Sequence, residues 1–263
     1  QNHRLNIPTL LMADIIHGFR TIFPIPLALG STWDEAAVEK MAEISAKEAA
    51  VSGLHVTFSP MVDLVRDPRW GRVMESTGED PLLNSRLAAA MVRGYQGENL
   101  KEDNWRVAAC VKHFAAYGGA LAGRDYNTVD MSERQLREMY LPGYKAGLDA
   151  GAKLVMTSFN TVDGIPATGN QWLFRDVLRN EFGFEGVVIS DWGAIKELIP
   201  HGVAKDEKQA AELAIKAGVD IEMMTTCYPD YLKELLEEGR IAETLIDEAV
   251  MRILKLKNEL GLF

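Results

Sequence analysis

Gly186-Val187-Val188-Ile189-Ser190-Asp191-Trp192-Gly193 decides the fold of this chain. A β-branched apolar run ends abruptly in a carboxylate, an indole and a glycine. A strand of a parallel sheet reads as a continuous apolar run because helices cover both of its faces. In a parallel α/β barrel the carboxyl ends of the strands form the floor of the active site. Asp191 is therefore a candidate catalytic carboxylate on a rigid strand, with Trp192 beside it as a wall for a ring. Taken alone, such an aspartate reads more simply as the cap of the next helix. What changes the balance is that other strands end the same way.

Working outward, apolar strand segments fall at Ile7–Ala13, His55–Ser59, Val107–Val111, Lys153–Ser158, Gly186–Ser190 and Gly218–Glu222. Helices with start signals lie between them. Thr32-Trp33-Asp34-Glu35 reads as a capping box opening Glu35–Ser52, with Gly53 as a stop. Asp80-Pro81 sets an N-cap before a proline at the first helical position. Ser132-Glu133-Arg134-Gln135 is a second capping box, Asn170 caps Gln171–Phe182, and Asp206–Ala217, Asp230–Glu238 and Ala242–Leu260 complete the set. Strand–helix alternation of this kind predicts a parallel sheet with right-handed crossovers. No Gly-rich dinucleotide fingerprint follows the first strand, which removes the best support for an open Rossmann sheet. The expected fold is α/β, a (β/α)8-like TIM barrel, incomplete or irregular at its N-terminal end because only six strands are clear.

Length alone fits one α/β barrel or two small domains, and with the strand–helix pattern the expectation is one barrel domain over residues 1–263. Apolar residues make up 47% and charged residues 25%, ordinary values for a globular enzyme. The formal charge is −10 with no basic cluster, which argues against nucleic-acid or anionic-membrane partners. No stretch approaches the roughly 18 apolar residues of a membrane span. Cys110 and Cys227 are far apart, and the five histidines form no ligand spacing, so no metal or cofactor is expected. The chain opens at Gln1 without an initiator Met or a signal segment, so an upstream piece is expected to be missing and targeting is unreadable. Gly261 after the last helix marks a domain end.

Polar chemistry recurs where the apolar runs stop. Asp14 and His17-Gly18-Phe19-Arg20 follow the first strand. Asp63 and Arg66-Asp67-Pro68-Arg69-Trp70-Gly71-Arg72 follow the second, Lys112-His113-Phe114 the third, Asn160 the fourth and Asp191-Trp192 the fifth. Each has a plain structural reading: Lys112 a salt bridge, Asp67-Pro68-Arg69 a turn with an internal ion pair, Asp14 and Arg72 structural charges. Barrel strands end near one another, however, so together these groups should meet at one mouth. Carboxylates that accept, cations that donate and indoles that stack are the means of holding a neutral polyol. A phosphate site would need a Gly-rich turn at a helix N-terminus, and none is evident. The long connections Asp63–Asp80 and Phe114–Met131 are the kind of loop that carries function.

The ordered set Asp14…His17-Gly18, Arg66-Asp67-Pro68-Arg69-Trp70-Gly71-Arg72, Lys112-His113-Phe114-Ala115-Ala116-Tyr117-Gly118, Met156-Thr157-Ser158-Phe159-Asn160 and Ser190-Asp191-Trp192-Gly193-Ala194 resembles the N-terminal barrel of glycoside hydrolase family 3. The likeness runs from the first residues to Gly261-Leu262-Phe263 and points to the bacterial periplasmic β-glucosidase branch. The resemblance implies that Asp191 is the nucleophile and that Asp14, Arg72, Lys112 and His113 hold hydroxyls of the sugar in the −1 subsite. It also implies that Arg20 and Arg124 lend a second layer of charge, that Met156 lines the pocket and that Trp192 flanks the +1 subsite. Phe159 stands where many members carry a tyrosine, so that hydroxyl is lacking here.

A retaining glycosidase needs two carboxyl groups about 5–5.5 Å apart, one ionised and one protonated. In the family resembled, the acid/base is a glutamate of a second, C-terminal α/β domain, which becomes an expected partner. The N-acetylglucosaminidase branch uses an Asp–His pair instead, whereas this chain reads Gly123-Arg124-Asp125-Tyr126-Asn127 there, with no histidine. Glu75 and Glu79 are the in-chain candidates for an acid. The resemblance thus implies a retaining, exo-acting β-glucosidase barrel for β-glucosides or oligosaccharides, periplasmic or secreted. A β-xylosidase, a non-catalytic sugar-binding fragment or split subunit, and an unrelated Schiff-base enzyme using Lys112 stay open, as does a homodimer.

Overall fold

The computed structural model describes residues 5–126 and 128–263, so Asn127 of the loop quoted above lies outside the described residues. Its strands are β1 (Met12–Ala13), β2 (Val56–Thr57), β3 (Ala108–Phe114), β4 (Thr128–Val129), β5 (Leu154–Thr157), β6 (Thr161–Val162), β7 (Ile165–Pro166) and β8 (Val187–Ile189). The main sheet has the order β1-β2-β3-β5-β8, with every neighbouring pair parallel. An isolated parallel bridge between Ile189 and Ile221 adds the sixth expected segment at the β8 edge. The result is an α/β half-barrel, an incomplete TIM barrel whose thin edge is the two-residue β1.

The expected first strand, Ile7–Ala13, is shorter than the sequence suggests. Pro8 has no N–H to give to a ladder, and backbone pairing begins only where His55 donates to Leu11 O at 2.8 Å. Gly218–Glu222 likewise pairs through one bridge and is no full strand. The second small sheet, β4-β6-β7, was not foreseen. It pairs β4 in parallel with β6 and turns β6 into β7 across Asp163-Gly164, both at positive φ, the conformation an Asp-Gly hairpin turn requires.

The helices are α1 (Pro26–Gly30), α2 (Glu35–Val51), α3 (Pro81–Gln96), α4 (Glu133–Gln135) running on through Leu136–Tyr140 into α5 (Leu141–Asp149), then the wide-turned helix Trp172–Glu181, α6 (Glu207–Ala217), α7 (Cys227–Glu237) and α8 (Glu243–Glu259). Asp34, not Thr32, caps α2, accepting from Ala37 N at 3.0 Å. Thr32 instead bonds back to Leu29 O at 2.6 Å, and Trp33 at φ 56° separates the two. Asp80, Ser132, Asn170 and Asp206 cap as expected. The seventh helix starts earlier than Asp230 because the Glu222 carboxylate accepts from Cys227 N at 2.9 Å and Tyr228 N at 2.7 Å.

Side-chain alternation along the strands sorts the core into two layers. Val56, Ala108, Cys110, Leu154, Met156, Val187 and Ile189 form the inner one, closed by Leu256 of α8. Ala109, Val111, Val155 and Val188 face outward and pack under the helices. The same inner parity reaches Lys112 near the end of β3, and Asp14 and Asp191 just past the ends of β1 and β8. That is why the mouth is polar where the interior is not.

Candidate active site

Asp191 lies one residue beyond β8, after Ser190. Its backbone N–H donates to Thr157 Oγ1 at 3.2 Å, and Trp192 N donates to its Oδ1 at 2.7 Å. One carboxylate oxygen is thus pinned to the chain. The other, Oδ2, is buried and, among the described residues, accepts no hydrogen bond, with His113 Nε2 3.4 Å away. A carboxylate oxygen held near the mouth without a donor of its own is free to attack.

The third strand brings two neighbours to the same place. Lys112 Nζ donates to Asp14 Oδ1 at 2.5 Å, joining the ends of β3 and β1. A regular pleat would send His113 to the outer face. The pairing of β3 with β5 instead shifts register between Val111 and Phe114, although the strand itself runs on to Phe114. His113 therefore reaches Asp191 with Nε2 while Nδ1 lies 2.7 Å from the buried Asp63 Oδ2. Burial drives His113 well below its ordinary pKa, with Arg72 and Lys112 adding to the effect against the opposing pull of Asp191 and Glu75, so the ring is neutral at pH 7.

The two long loops close the other side. Arg72 Nε and Nη2 bind both oxygens of Glu75, at 2.6 and 2.8 Å, and its guanidinium lies over the Tyr117 ring with 5.6 Å to the centroid. Trp70 Nε1 donates to Asp125 Oδ1 at 2.9 Å and packs edge-on against Tyr117, tying loop 63–80 to loop 114–131. Gly118 lets the loops touch, since a Cβ there would meet Leu64 O at 2.3 Å. Asp67 and Arg69 form the internal ion pair of a turn.

Asp14, Arg72, Lys112, Met156, Asp191 and Trp192 line one cavity of about 380 Å³, with Glu75, Phe58, Met74 and Met223. That lies within the size range of small-molecule sites. Trp192 is 63% exposed and forms its rim. His113 sits immediately behind. Arg20 and Arg124 are exposed and do not line this cavity: the backbone N–H of Arg20 is held by Glu48 of α2 at 2.8 Å, and Arg124 closes a turn on Leu121 O at 3.2 Å. A larger cleft of about 700 Å³ lies between α2, the end of α3 and residues 97–106, away from the strand ends. Its arginines, Arg93 and Arg106, are already paired with Glu39 and Asp103. Chemistry, not size, singles out the smaller cavity.

Neither expected in-chain acid fits that role. Glu75 has both oxygens on Arg72, and Glu79 is exposed and outside the cavity lining. The sequence missed Glu197, a carboxyl group on the short helical turn Lys196–Leu198 six residues after Asp191; it does not line the cavity and so is no acid for this site. Its Oε2 is buried without a partner among the described residues, and burial together with the Asp191 charge pushes its pKa up to about 7. Its spacing from Asp191 was the available signal, but a Lys-Glu pair on a helix reads as solvated. No group of three or more metal-ligating side chains occurs among the described residues, and no helix there is long and apolar enough to cross a membrane.

The family model for the glycosyl hydrolase family 3 N-terminal domain matches residues 1–256. The chain belongs to that family. A periplasmic β-glucosidase of Salmonella typhimurium is 48% identical over 260 residues, which cover 99% of this chain and 34% of the relative. A β-xylosidase of Formosa agariphila is 37% identical, with 100% of this chain and 39% of the relative covered. A mutant β-glucosidase of Listeria innocua, solved in complex with laminaribiose, superposes with a TM-score of 0.99 at 64% identity, covering all of this chain and 36% of that one. The chain thus spans about a third of the length of these family 3 relatives.

Proposed function

We propose that this chain is the barrel of a retaining, exo-acting β-glucosidase that releases terminal β-D-glucosyl units through a covalent glycosyl–Asp191 intermediate. One observation carries the reading: Asp191 presents an unpartnered Oδ2 beside His113, in a cavity whose other polar walls are Lys112, Asp14 and Arg72. Asp191 attacks the anomeric carbon from the floor. Lys112 and Arg72 donate to sugar hydroxyls, and Asp14, already charge-paired, accepts from them. Trp192 offers its exposed indole to the aglycone at the rim.

Protonation of the leaving oxygen falls to a carboxyl group outside this chain, in the remaining two-thirds of length that the relatives have. The acid/base glutamate of a C-terminal α/β domain is the partner we assign. The identity to a periplasmic β-glucosidase supports a periplasmic location. The likeness to a β-glucosidase at 64% identity against 37% for a β-xylosidase favours glucose over xylose. A Schiff-base enzyme is disfavoured, since the amine such chemistry needs is engaged by Asp14. Azide rescue tests the nucleophile. The Asp191→Gly variant of the complete enzyme, given dinitrophenyl β-glucoside and azide, should form α-glucosyl azide. Formation of the β-azide would place the nucleophile elsewhere.

A further inference from the structure

Behind the cavity lies a buried group that the reading above leaves without a task. Asp63 is fully buried, after β2, with no formal ion pair to an arginine or lysine among the described residues. Its Oδ2 accepts from the backbone N–H of His113 at 3.0 Å and lies 2.7 Å from Nδ1 of the same residue. Its Oδ1 accepts from the Tyr144 hydroxyl of α5 at 2.7 Å, and that hydroxyl also lies 2.5 Å from His113 O and accepts from Ala116 N at 3.2 Å. Two acceptors cannot sit 2.7 Å apart without a proton between them. An ionised Asp63 therefore puts the imidazole proton on Nδ1, which leaves Nε2 of the neutral ring a bare acceptor. That nitrogen faces Asp191 Oδ2, which also lacks a donor.

We propose that Asp63 and Tyr144 are positioning residues that fix the His113 tautomer with its proton on Nδ1, so that Nε2 is an acceptor for a substrate hydroxyl and puts no proton on Asp191 Oδ2, which stays free to attack. The 3.4 Å between Nε2 and Asp191 Oδ2 is longer than an ordinary hydrogen bond, as expected of two atoms with no proton between them. The proposal deepens the glucosidase reading and rests on it for the identity of the hydroxyl's owner, while the tautomer stands on the chain's own geometry. A reversed tautomer would turn Nε2–H onto Asp191, consume its free oxygen and remove the acceptor. The groups facing Asp63 are His113 and Lys112 of β3, Tyr144 of α5 and Arg72 of the long loop. Burial pushes Asp63 up to about 6 against their pull. Above pH 6 the ionised Asp63 holds the Nδ1 proton most firmly. Below it the added proton belongs on Oδ1, facing the Tyr144 hydroxyl, because Oδ2 still accepts from the His113 backbone N–H, and the hold on Nδ1–H weakens.

Long-range proton–nitrogen spectra of the protein labelled with 15N-histidine test this directly, because the chain has only five histidines. At pH 7.5 His113 should show a protonated Nδ1 and a bare Nε2. Asp63→Leu, which removes the acceptor of Nδ1–H, should mix or reverse the two signals, lower kcat/KM on aryl β-glucoside about 10–100-fold and abolish an acid limb near pH 6. Tyr144→Phe should keep the tautomer and lower kcat/KM less. A wild-type His113 protonated on Nε2 at pH 7.5 overturns the proposal, and so does an Asp63→Leu protein with unchanged nitrogen signals. If Asp63→Leu does not fold, the wild-type spectrum at pH 7.5 decides alone. The expected tautomer in a protein that hydrolyses no glycoside would sink the functional reading and leave the proton placement intact.

Discussion

Lys112 enters the cavity with its ammonium already paired to Asp14, yet the two partners differ sharply in exposure, 4% against 62%. Removing the lysine leaves Asp14 in solvent, where a lone carboxylate is well hydrated, so no buried charge is orphaned. Lys112→Met should therefore fold normally and lose about 10–100-fold in kcat/KM, the cost of one hydrogen bond to a charged donor. Unfolding curves and aryl-glucoside kinetics on the same sample check both halves. Glu197 makes the opposite case. Its folded pKa of about 7 lies above the ordinary 4.5, so the folded state binds the proton more tightly than the unfolded chain. Its contribution is fully present below pH 4.5 and is lost as pH rises from 4.5 to 7, with Asp191 the charge that opposes its ionisation. Because the group is only half-buried, the effect is about 1 kcal/mol after screening. Glu197→Gln should raise Tm at pH 8 and leave it unchanged at pH 4. Of such residues the sequence revealed those that end apolar runs, Asp14, Asp63, Lys112 and Asp191. It hid the partners of Asp63, which lie 50 and 81 positions away, and it hid Glu197, whose meaning lies in burial beside Asp191.

At the level of elements, the strand ends were legible because inner-facing parity carries straight from apolar core to polar mouth. Val187 and Ile189 lead to Asp191, and Ala108 and Cys110 lead to Lys112. His113 breaks that parity, and the adjacency of Lys112 and His113 in the sequence already demanded an irregularity there. The observed register shift after Val111 meets the demand, while pairing still reaches Phe114. The hairpin β6–β7 went unread although Asp163-Gly164 is a strong turn signal, since its flanking strands are only two residues each. Loop-to-loop contacts were out of reach, because they depend on which glycines lack room for a Cβ. Gly118→Ala follows from that. A methyl group 2.3 Å from Leu64 O must push loop 63–80 away, so denaturant titration should show a loss of about 1–3 kcal/mol. Kinetics should worsen with it, since Arg72 rides on that loop.

On the scale of the molecule, five strands and a bridge give a mouth open on one side, and the family relatives are about three times as long. A barrel that supplies the nucleophile and the sugar contacts but no acid should discriminate between leaving groups. Loss of general-acid help costs about 10²–10⁴-fold where the departing oxygen is strongly basic, and little where it is a nitrophenolate. The isolated chain should accordingly turn over dinitrophenyl β-glucoside weakly and cellobiose almost not at all, as product assays would show. The central claim, that Asp191 forms the covalent bond to the sugar, is tested most directly on the complete enzyme with 2,4-dinitrophenyl 2-deoxy-2-fluoro-β-D-glucoside. Peptide mapping of the inactivated protein should find the fluoroglucosyl group on Asp191. Its appearance on Glu75 or Glu197 instead, or inactivation that proceeds unchanged in Asp191→Asn, would contradict the account.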